Sequence, residues 1–458
     1  MVAQVETKST KTIPYVRGYP FVGNIPELTK DRLKFLARMT RVSDVCGCHL
    51  GPFSTILFNK AEYAHAVLVE HASDFYKGRL MHRVFDSSFS GKQGVFISEG
   101  EFHRRQRKLM SPPFQPRHIA SYADTMVGYT EQLLQEWRDG ETIDVNQEMT
   151  KVTMSIIGKI LFDADVFTEA DELGEAVTIT LENAVYRFTH LLAPPLNWPT
   201  PRNIRVRAAG ELLRERIQRM IDERRQSGKE RNDFLSILLH ARYEDGGAMD
   251  DEQLMEECLT LFAAGHETTA TTLTWAWYLL CQHPDAYRKV QQEVDSVLQG
   301  RTPIYADLEH LPYCLQVFKE AMRLYPAAYS IAREALHDVD IDGYVVPKGH
   351  IVLISPYTLH RKPDYFAEPE KFVPERFAPE REKQIPRNAY LPFGAGPRIC
   401  MGNYFATMEG HLLLATLAQK VIFALEPGQT IEPDLNHHLT MRPGGKVNMV
   451  VSKRPLAL

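Results

Sequence analysis

Phe393-Gly394-Ala395-Gly396-Pro397-Arg398-Ile399-Cys400-Met401-Gly402 carries two glycines that permit a tight backbone, and its cysteine reads as the opening residue of a helix from about Cys400 to Leu417. Exposed N–H groups at a helix start, with glycines beside them, favour an anion, so Cys400 can be held as the thiolate that ligates a metal. A haem iron bound by a single thiolate, which pushes electron density toward bound oxygen, suits O–O cleavage. The plainer alternative is a buried structural thiol, the commoner fate of a lone cysteine at a helix start. Two neighbours bear on the choice. Phe393 offers an aromatic cover for the sulfur, and Arg398 can pair with a haem propionate.

Around this stretch lies a chain of 458 residues, 44% hydrophobic and 24% charged, the balance of a globular enzyme able to bury a large core. Its 53 Lys+Arg against 58 Asp+Glu give a net charge of −5, which points to neither nucleic acid nor an anionic membrane. Six thinly spread cysteines lack the spacing of a secreted disulfide framework, so a reduced, cytoplasmic setting is expected. Cys46 and Cys48 sit one residue apart in a strand and face the same side; they could share a metal, but no second ligand pair follows nearby and a structural role is expected. Met1 to Pro14 is polar, and Glu267-Thr268-Thr269-Ala270-Thr271-Thr272 interrupts the apolar stretch around Phe262, so no membrane span is expected.

Along the chain, about a dozen disordered residues precede a turn at Pro20-Phe21-Val22-Gly23-Asn24 and a short charged helix from Lys30 to Met39. Cys46–Leu50 and Ser54–Phe58 flank Gly51-Pro52 as a hairpin, Glu62–Leu68 is helical, and Arg79 to Glu99 reads as a long loop containing Ser87-Ser88-Phe89-Ser90-Gly91. From Phe102 to about Leu298 the spacing is helical, broken at 193–201 and at Asp245-Gly246-Gly247. A helix from Leu311 to Leu324 stops at Pro326. Short strands follow between Val339 and Ile354, and Met441 to Val451 reads as a strand pair about Gly444-Gly445. No repeat or flexible linker divides the chain, which reads as one domain over 1–458, mainly α with small β-sheets.

The ten-residue cysteine stretch resembles the haem-binding signature of the cytochrome P-450 superfamily, and the resemblance runs from about Pro20 to the C-terminal strands, including Pro347-Lys348-Gly349 and His360-Arg361. It implies a triangular helical prism around a buried haem b, with Cys400 as the iron ligand. It also assigns other residues. Glu320 and Arg323, at i and i+3 on one helix face, would join Arg376 of Pro374-Glu375-Arg376-Phe377 in a buried ionic triad behind the haem that holds the cysteine loop. Ala263-Ala264-Gly265-His266-Glu267-Thr268-Thr269 resembles the family's oxygen-binding motif, with Glu267 delivering protons through water and Thr268 steadying the iron-bound species by hydrogen bonding. A mid-helix glycine is costly, and a local widening that admits a ligand is one reason for it, with Ala264 and Gly265 leaving space above the ring. His266 reads as packing or a local hydrogen bond. His103 and Arg107, at i and i+4 in Glu101-Phe102-His103-Arg104-Arg105-Gln106-Arg107, would approach a haem propionate, as would Arg333. Many relatives carry Trp where His103 stands.

The resemblance implies a monooxygenase that hydroxylates or epoxidises a hydrophobic substrate with O2. Val95, Phe96, Phe262, Ala263, Ala264, Thr268, Ala328 to Ile331 and Leu439 are its expected contacts. With no nucleotide loop and no clustered Cys set for iron-sulfur, electrons must come from a separate ferredoxin or flavodoxin with its reductase, steered to a basic stretch at Arg104, Arg105 and Lys108. A monomer is expected. The competing readings are a peroxide-driven hydroxylase or haem-thiolate isomerase, against which Glu267-Thr268 argues, and a haem-based gas sensor, which would need an output domain.

Overall fold

Local signals set many of the boundaries in the computed structural model, which describes residues 11–85, 94–190, 193–227 and 233–455. The principal helices are α1 (Arg32–Val42), α2 (Gly100–Met110), α3 (Ala123–Glu136), α4 (Val145–Phe162), α5 (Ala170–Thr189), α6 (Pro201–Ser227), α7 (Asp251–Gln282), α8 (Pro284–Leu298), α9 (Pro312–Leu324) and α10 (Asn403–Lys420). Asp250 starts α7 by accepting the Gln253 amide at 2.8 Å, and Asp251 and Glu252 place negative charge in its first turn. Pro284 then begins α8, where its missing N–H costs nothing.

Contacts divide the chain into two compact units, each assembled from separated segments. The first comprises 1–81, 328–370 and 385–400. Its five-stranded sheet runs in the order Val45–Leu50, Phe53–Phe58, Ile351–Ile354, Ile331–Ala335, Phe75–Tyr76. The expected hairpin is present, with Val45 opposite Phe58, while Phe58 pairs in parallel with Ile354. Cys46 and Cys48 are both buried on one side of this hairpin among Val16, Phe35, Met39 and Leu57, as structural thiols. A second hairpin, Val339–Ile341 with Tyr344–Val346, turns at Asp342-Gly343, both at positive φ.

The second unit comprises 82–327, 371–384 and 401–458. Of the 28 positions from Gln253 to Leu280 in α7, 24 are buried, so this helix is an interior one that α4, α6, α9 and α10 pack against. Strand Asn448–Lys453 pairs with Val421–Leu425 on one side and Thr142–Asp144 on the other.

Several expectations need correction. Arg79–Phe85 is helical rather than loop, while Ser87 to Gly91 lies outside the described residues. Met441 to Val451 is not a strand pair about Gly444-Gly445, because its strand finds partners far away in the chain. The first ten residues lie outside the description, but Lys11 is anchored, its amide donating to Gly343 O at 2.7 Å and its ammonium pairing with Asp342.

Candidate active site

In the first unit, the Cys400 loop is a closed turn. The Cys400 amide donates to Phe393 O at 2.9 Å, the Ile399 amide to Gly396 O at 3.0 Å, and Leu391 and Ala395 are buried in the sheet's apolar core. His360, fully buried, accepts the Leu391 amide on its Nε2 at 2.8 Å and so holds the loop's entry. Gly396 is obligatory: its φ is +71°, and a Cβ would stand 1.8 Å from Leu68 O. Among the six cysteines Cys400 is the exposed one, where Cys46, Cys48, Cys258 and Cys314 are buried and Cys281 half-buried. The Cys400 thiol is thus not one of the buried ones. The helix expected to open at Cys400 starts instead at Asn403, because Met401-Gly402 forms a turn. Phe393 and Arg398, in the same loop, are half-buried, and so is Arg333 on strand Ile331–Ala335, where its Nη1 donates to Ala332 O at 2.8 Å. Ala328 is exposed.

In the second unit the informative surface is one face of α7. Between Gln253 and Leu280 the four positions that are not buried are Leu261, Ala264, Gly265 and Thr268, the i, i+3, i+4, i+7 spacing of a single helical face. Thr268 points its hydroxyl back to Ala264 O at a long 3.3 Å, leaving it weakly engaged. Glu267, next in sequence, is turned into the interior. Its carboxylate accepts the Thr440 hydroxyl at 2.7 Å, and burial pushes its carboxyl above the ordinary range against the opposing effects of Thr440 and Arg442. His266 is buried with its Nδ1 on Phe262 O at 2.9 Å, the local hydrogen bond expected, and burial lowers it to about 4.

Three expectations about this helix change. Phe262 and Ala263 lie off the accessible face; the Phe262 ring packs edge-on against Phe162 of α4, and Leu261 takes the place given to them. Helical spacing counted back from Thr268 would have found it. Gly265 is explained by packing rather than by a widened helix, since a Cβ there would meet the Ile157 side chain at 2.7 Å where α4 crosses α7. At the C-terminal segment Leu439 is half-buried, beside Thr440 and ahead of Met441, whose carbonyl accepts Trp275 Nε1 of α7 at 2.7 Å.

On α2, His103 and Arg107 share the inward face with Gln106 and Met110, His103 being buried and Arg107 half-buried. The outward face carries Arg104, Arg105 and Lys108, but these are not an open basic patch. Arg104 pairs with Glu101, Arg105 with Asp245 at 2.7 Å and Lys108 with Glu244, so the charge that was to steer an acidic carrier is locally neutralised. Asp245 and Glu244 lie far off in the chain and were invisible to a reading of one segment.

Glu320 and Arg323 of α9 are both completely buried and form a two-point pair, Nε to Oε2 at 2.7 Å and Nη2 to Oε1 at 2.8 Å. Arg376 Nε approaches Glu320 Oε1 at 3.3 Å, the Val373 amide donates to the same oxygen at 2.9 Å, and Arg323 donates to Lys371 O at 3.0 Å. The triad thus pins chain 371–376 onto α9. Val95 is buried, whereas Phe96 is 39% exposed, its ring edge-on to Phe85 at 5.1 Å.

A thiol presented by a glycine-turned loop and an accessible helix face carrying a loosely held hydroxyl are the parts expected of a haem-thiolate oxygenase. Comparison with known proteins agrees. The Cytochrome P450 family model matches residues 13–449, and the chain belongs to that family. It is 36% identical to cyclooctatin synthase of Streptomyces melanosporofaciens over 440 residues, covering 93% of each chain. It is 31% identical to pentalenene oxygenase of Streptomyces avermitilis, covering 90% of this chain and 92% of that one. The solved structure of retinoic acid bound cyanobacterial CYP120A1 superposes with a TM-score of 0.85 at 25% identity, over 97% of this chain and 100% of the other. The fold is the mainly helical P450 fold with small sheets, and the chain is a P450 monooxygenase. Among the described residues no helix is long and apolar enough to cross a membrane.

Proposed function

We propose that the chain binds haem b through the thiolate of Cys400 and inserts one oxygen atom from O2 into a hydrophobic organic substrate, by hydroxylation or epoxidation. The observation that carries this reading is the exposure of Cys400 at the end of a turn closed by Phe393 O. When bound, the haem supplies the oxygen-activating chemistry, and the protein supplies ligand, protons and orientation. Phe393 covers the sulfur, and His103, Arg107, Arg333 and Arg398 serve the propionates. Ala264 keeps the accessible face of α7 free of bulk beside the haem, and Gly265 next to it lets α4 pack close against the helix. Thr268 offers its hydroxyl from that face, and Glu267, held by the Thr440 hydroxyl, helps deliver protons through water.

Val95, Phe96, Leu261, Ala328 and Leu439 offer apolar contact to the substrate. The name pentalenene oxygenase favours an unsaturated carbon skeleton. In this reading 1–458 serve as one catalytic domain, a monomer fed with electrons by a separate ferredoxin or flavodoxin and its reductase. Glu320, Arg323 and Arg376 act as scaffold.

The carbon monoxide spectrum of the reduced protein tests the ligand. The wild type is expected to show the red-shifted band of a thiolate-ligated haem, and Cys400→Ser to lose it. A Ser variant that kept the band would end the assignment.

A further inference from the structure

Glu257 belongs to the same side of α7 as Leu261, Ala264 and Thr268, by the four-three-four spacing that keeps residues on one helical face. It sits about 6 Å along the axis from Leu261, at the N-terminal end of the accessible stripe. Unlike its neighbours on that face it is fully buried. What covers it is the turn Gly94–Ser98, closed by the Ile97 and Ser98 amides on Gly94 O at 3.0 and 2.9 Å. The Val95 amide of this turn donates to Glu257 Oε2 at 2.9 Å, and Gln253 Nε2 donates to Oε1 at 2.6 Å.

Among the described residues no guanidinium or ammonium pairs with this carboxyl: Arg214, the cation of the neighbouring turn, is held by Glu256. Burial consequently pushes the Glu257 carboxyl up to about 8. Leucine would bury more cheaply at such a position, but it would leave the Val95 N–H without an acceptor in the interior. The carboxyl is therefore matched to one backbone amide, and that amide belongs to the turn that carries Val95 inward and leaves Phe96 partly exposed against Phe85.

We infer that Glu257 is a positioning residue for substrate, clamping the Val95 amide so that the Gly94–Ser98 turn and Phe96 stay seated at the N-terminal end of the Leu261–Thr268 face. The clamp rests on the reading of that face as the substrate's, and it adds to that reading a residue outside the oxygen-handling motif which sets how far the pocket extends along α7. Gln253 supports it from one turn earlier. Its amide can turn to accept from a protonated Glu257 as readily as it donates to an ionised one, so the turn is held in either state.

The test compares holoenzyme carrying Glu257→Leu or Glu257→Gln with the wild type, by hydrogen exchange of the 94–99 segment and by optical titration with clotrimazole, a bulky apolar azole. The Leu variant removes an acceptor from a buried N–H, so exchange at Val95 should quicken roughly tenfold. Clotrimazole should also bind several-fold more weakly. The Gln variant keeps a side-chain oxygen for the amide and should restore both to within about twofold. Unchanged exchange at 94–99 in the Leu variant would overturn the clamp. So would acceleration spread equally over all of α7, which would mark a general loss of stability, or failure of Gln to rescue. The thiolate spectrum of the wild type is read alongside. Its absence would sink the haem assignment alone, while the exchange result still decides the clamp.

Discussion

Replacing Glu320 by Gln tests the buried triad where its energetics are least ambiguous. The carboxylate accepts from Arg323 Nε and Nη2, from the Val373 amide and from Arg376 Nε, and neither Glu320 nor Arg323 has any solvent exposure. The substituted side chain would keep one acceptor oxygen but turn an NH2 group against a guanidinium that cannot deprotonate. Arg323 would retain the Lys371 carbonyl as a partner but lose the carboxylate charge that faces it. Breaking a buried pair in this way costs about 3–5 kcal/mol, most of it from the charge left behind rather than from the lost bonds. The decisive comparison is with Glu320→Gln combined with Arg323→Met, which removes that charge. The double variant should recover at least half of the loss, because the two residues are directly coupled. Equilibrium urea unfolding followed by tryptophan fluorescence reads the unit that holds Trp275 and Trp277 beside α9. A single variant that loses less than about 1 kcal/mol, or a double variant that is worse than the single, would refute the argument that charge burial is what makes the triad matter.

Two further outcomes follow from buried groups and tight backbone. His411 of α10 donates from Nε2 to Leu311 O at 2.7 Å, and burial lowers it to about 4, so its neutral form is the one the fold accepts. Its contribution is fully present above the ordinary value near 6.5 and is lost as pH falls toward 4, by roughly 3 kcal/mol at most. His411→Gln keeps a donor but does not titrate, so the urea midpoint of the wild type should fall relative to that of the variant between pH 6.5 and 4; a constant difference would refute this. Gly396→Ala, whose Cβ would meet Leu68 O at 1.8 Å, should abolish thiolate-ligated haem incorporation while leaving far-ultraviolet circular dichroism largely intact, and a normal carbon monoxide spectrum would show the loop to be more tolerant than its geometry allows.

What could be read in the chain beforehand was what its local chemistry decides. Gly51-Pro52 between Cys46–Leu50 and Ser54–Phe58 announces a hairpin, and Pro326 announces the end of α9, because in both cases the determinant lies within a few residues of its effect. Strand Thr142–Asp144 carries no such mark. It is a strand because Asn448–Lys453 lies beside it, far onward in the chain, and the same holds for Ile331–Ala335 against Ile351–Ile354 at shorter range. The charges on α2 were legible as charges, but their meaning was not, since Glu244 and Asp245 cancel them from another segment.

The cysteine loop and the Glu-Thr pair show the same division inside the site. The loop's glycines are dictated locally by positive φ, and the cysteine motif survives the move of the helix start to Asn403. Glu267 and Thr268 are adjacent in sequence, which invites reading them as one device. A helix turns about 100° between neighbours, however, and here that rotation puts one side chain in the interior against Thr440 and the other on the accessible face. The two are therefore placed differently: the Thr268 hydroxyl lies on the accessible face, while the Glu267 carboxyl is held inside by the Thr440 hydroxyl, a bond that opposes the upward pull of burial on its pKa.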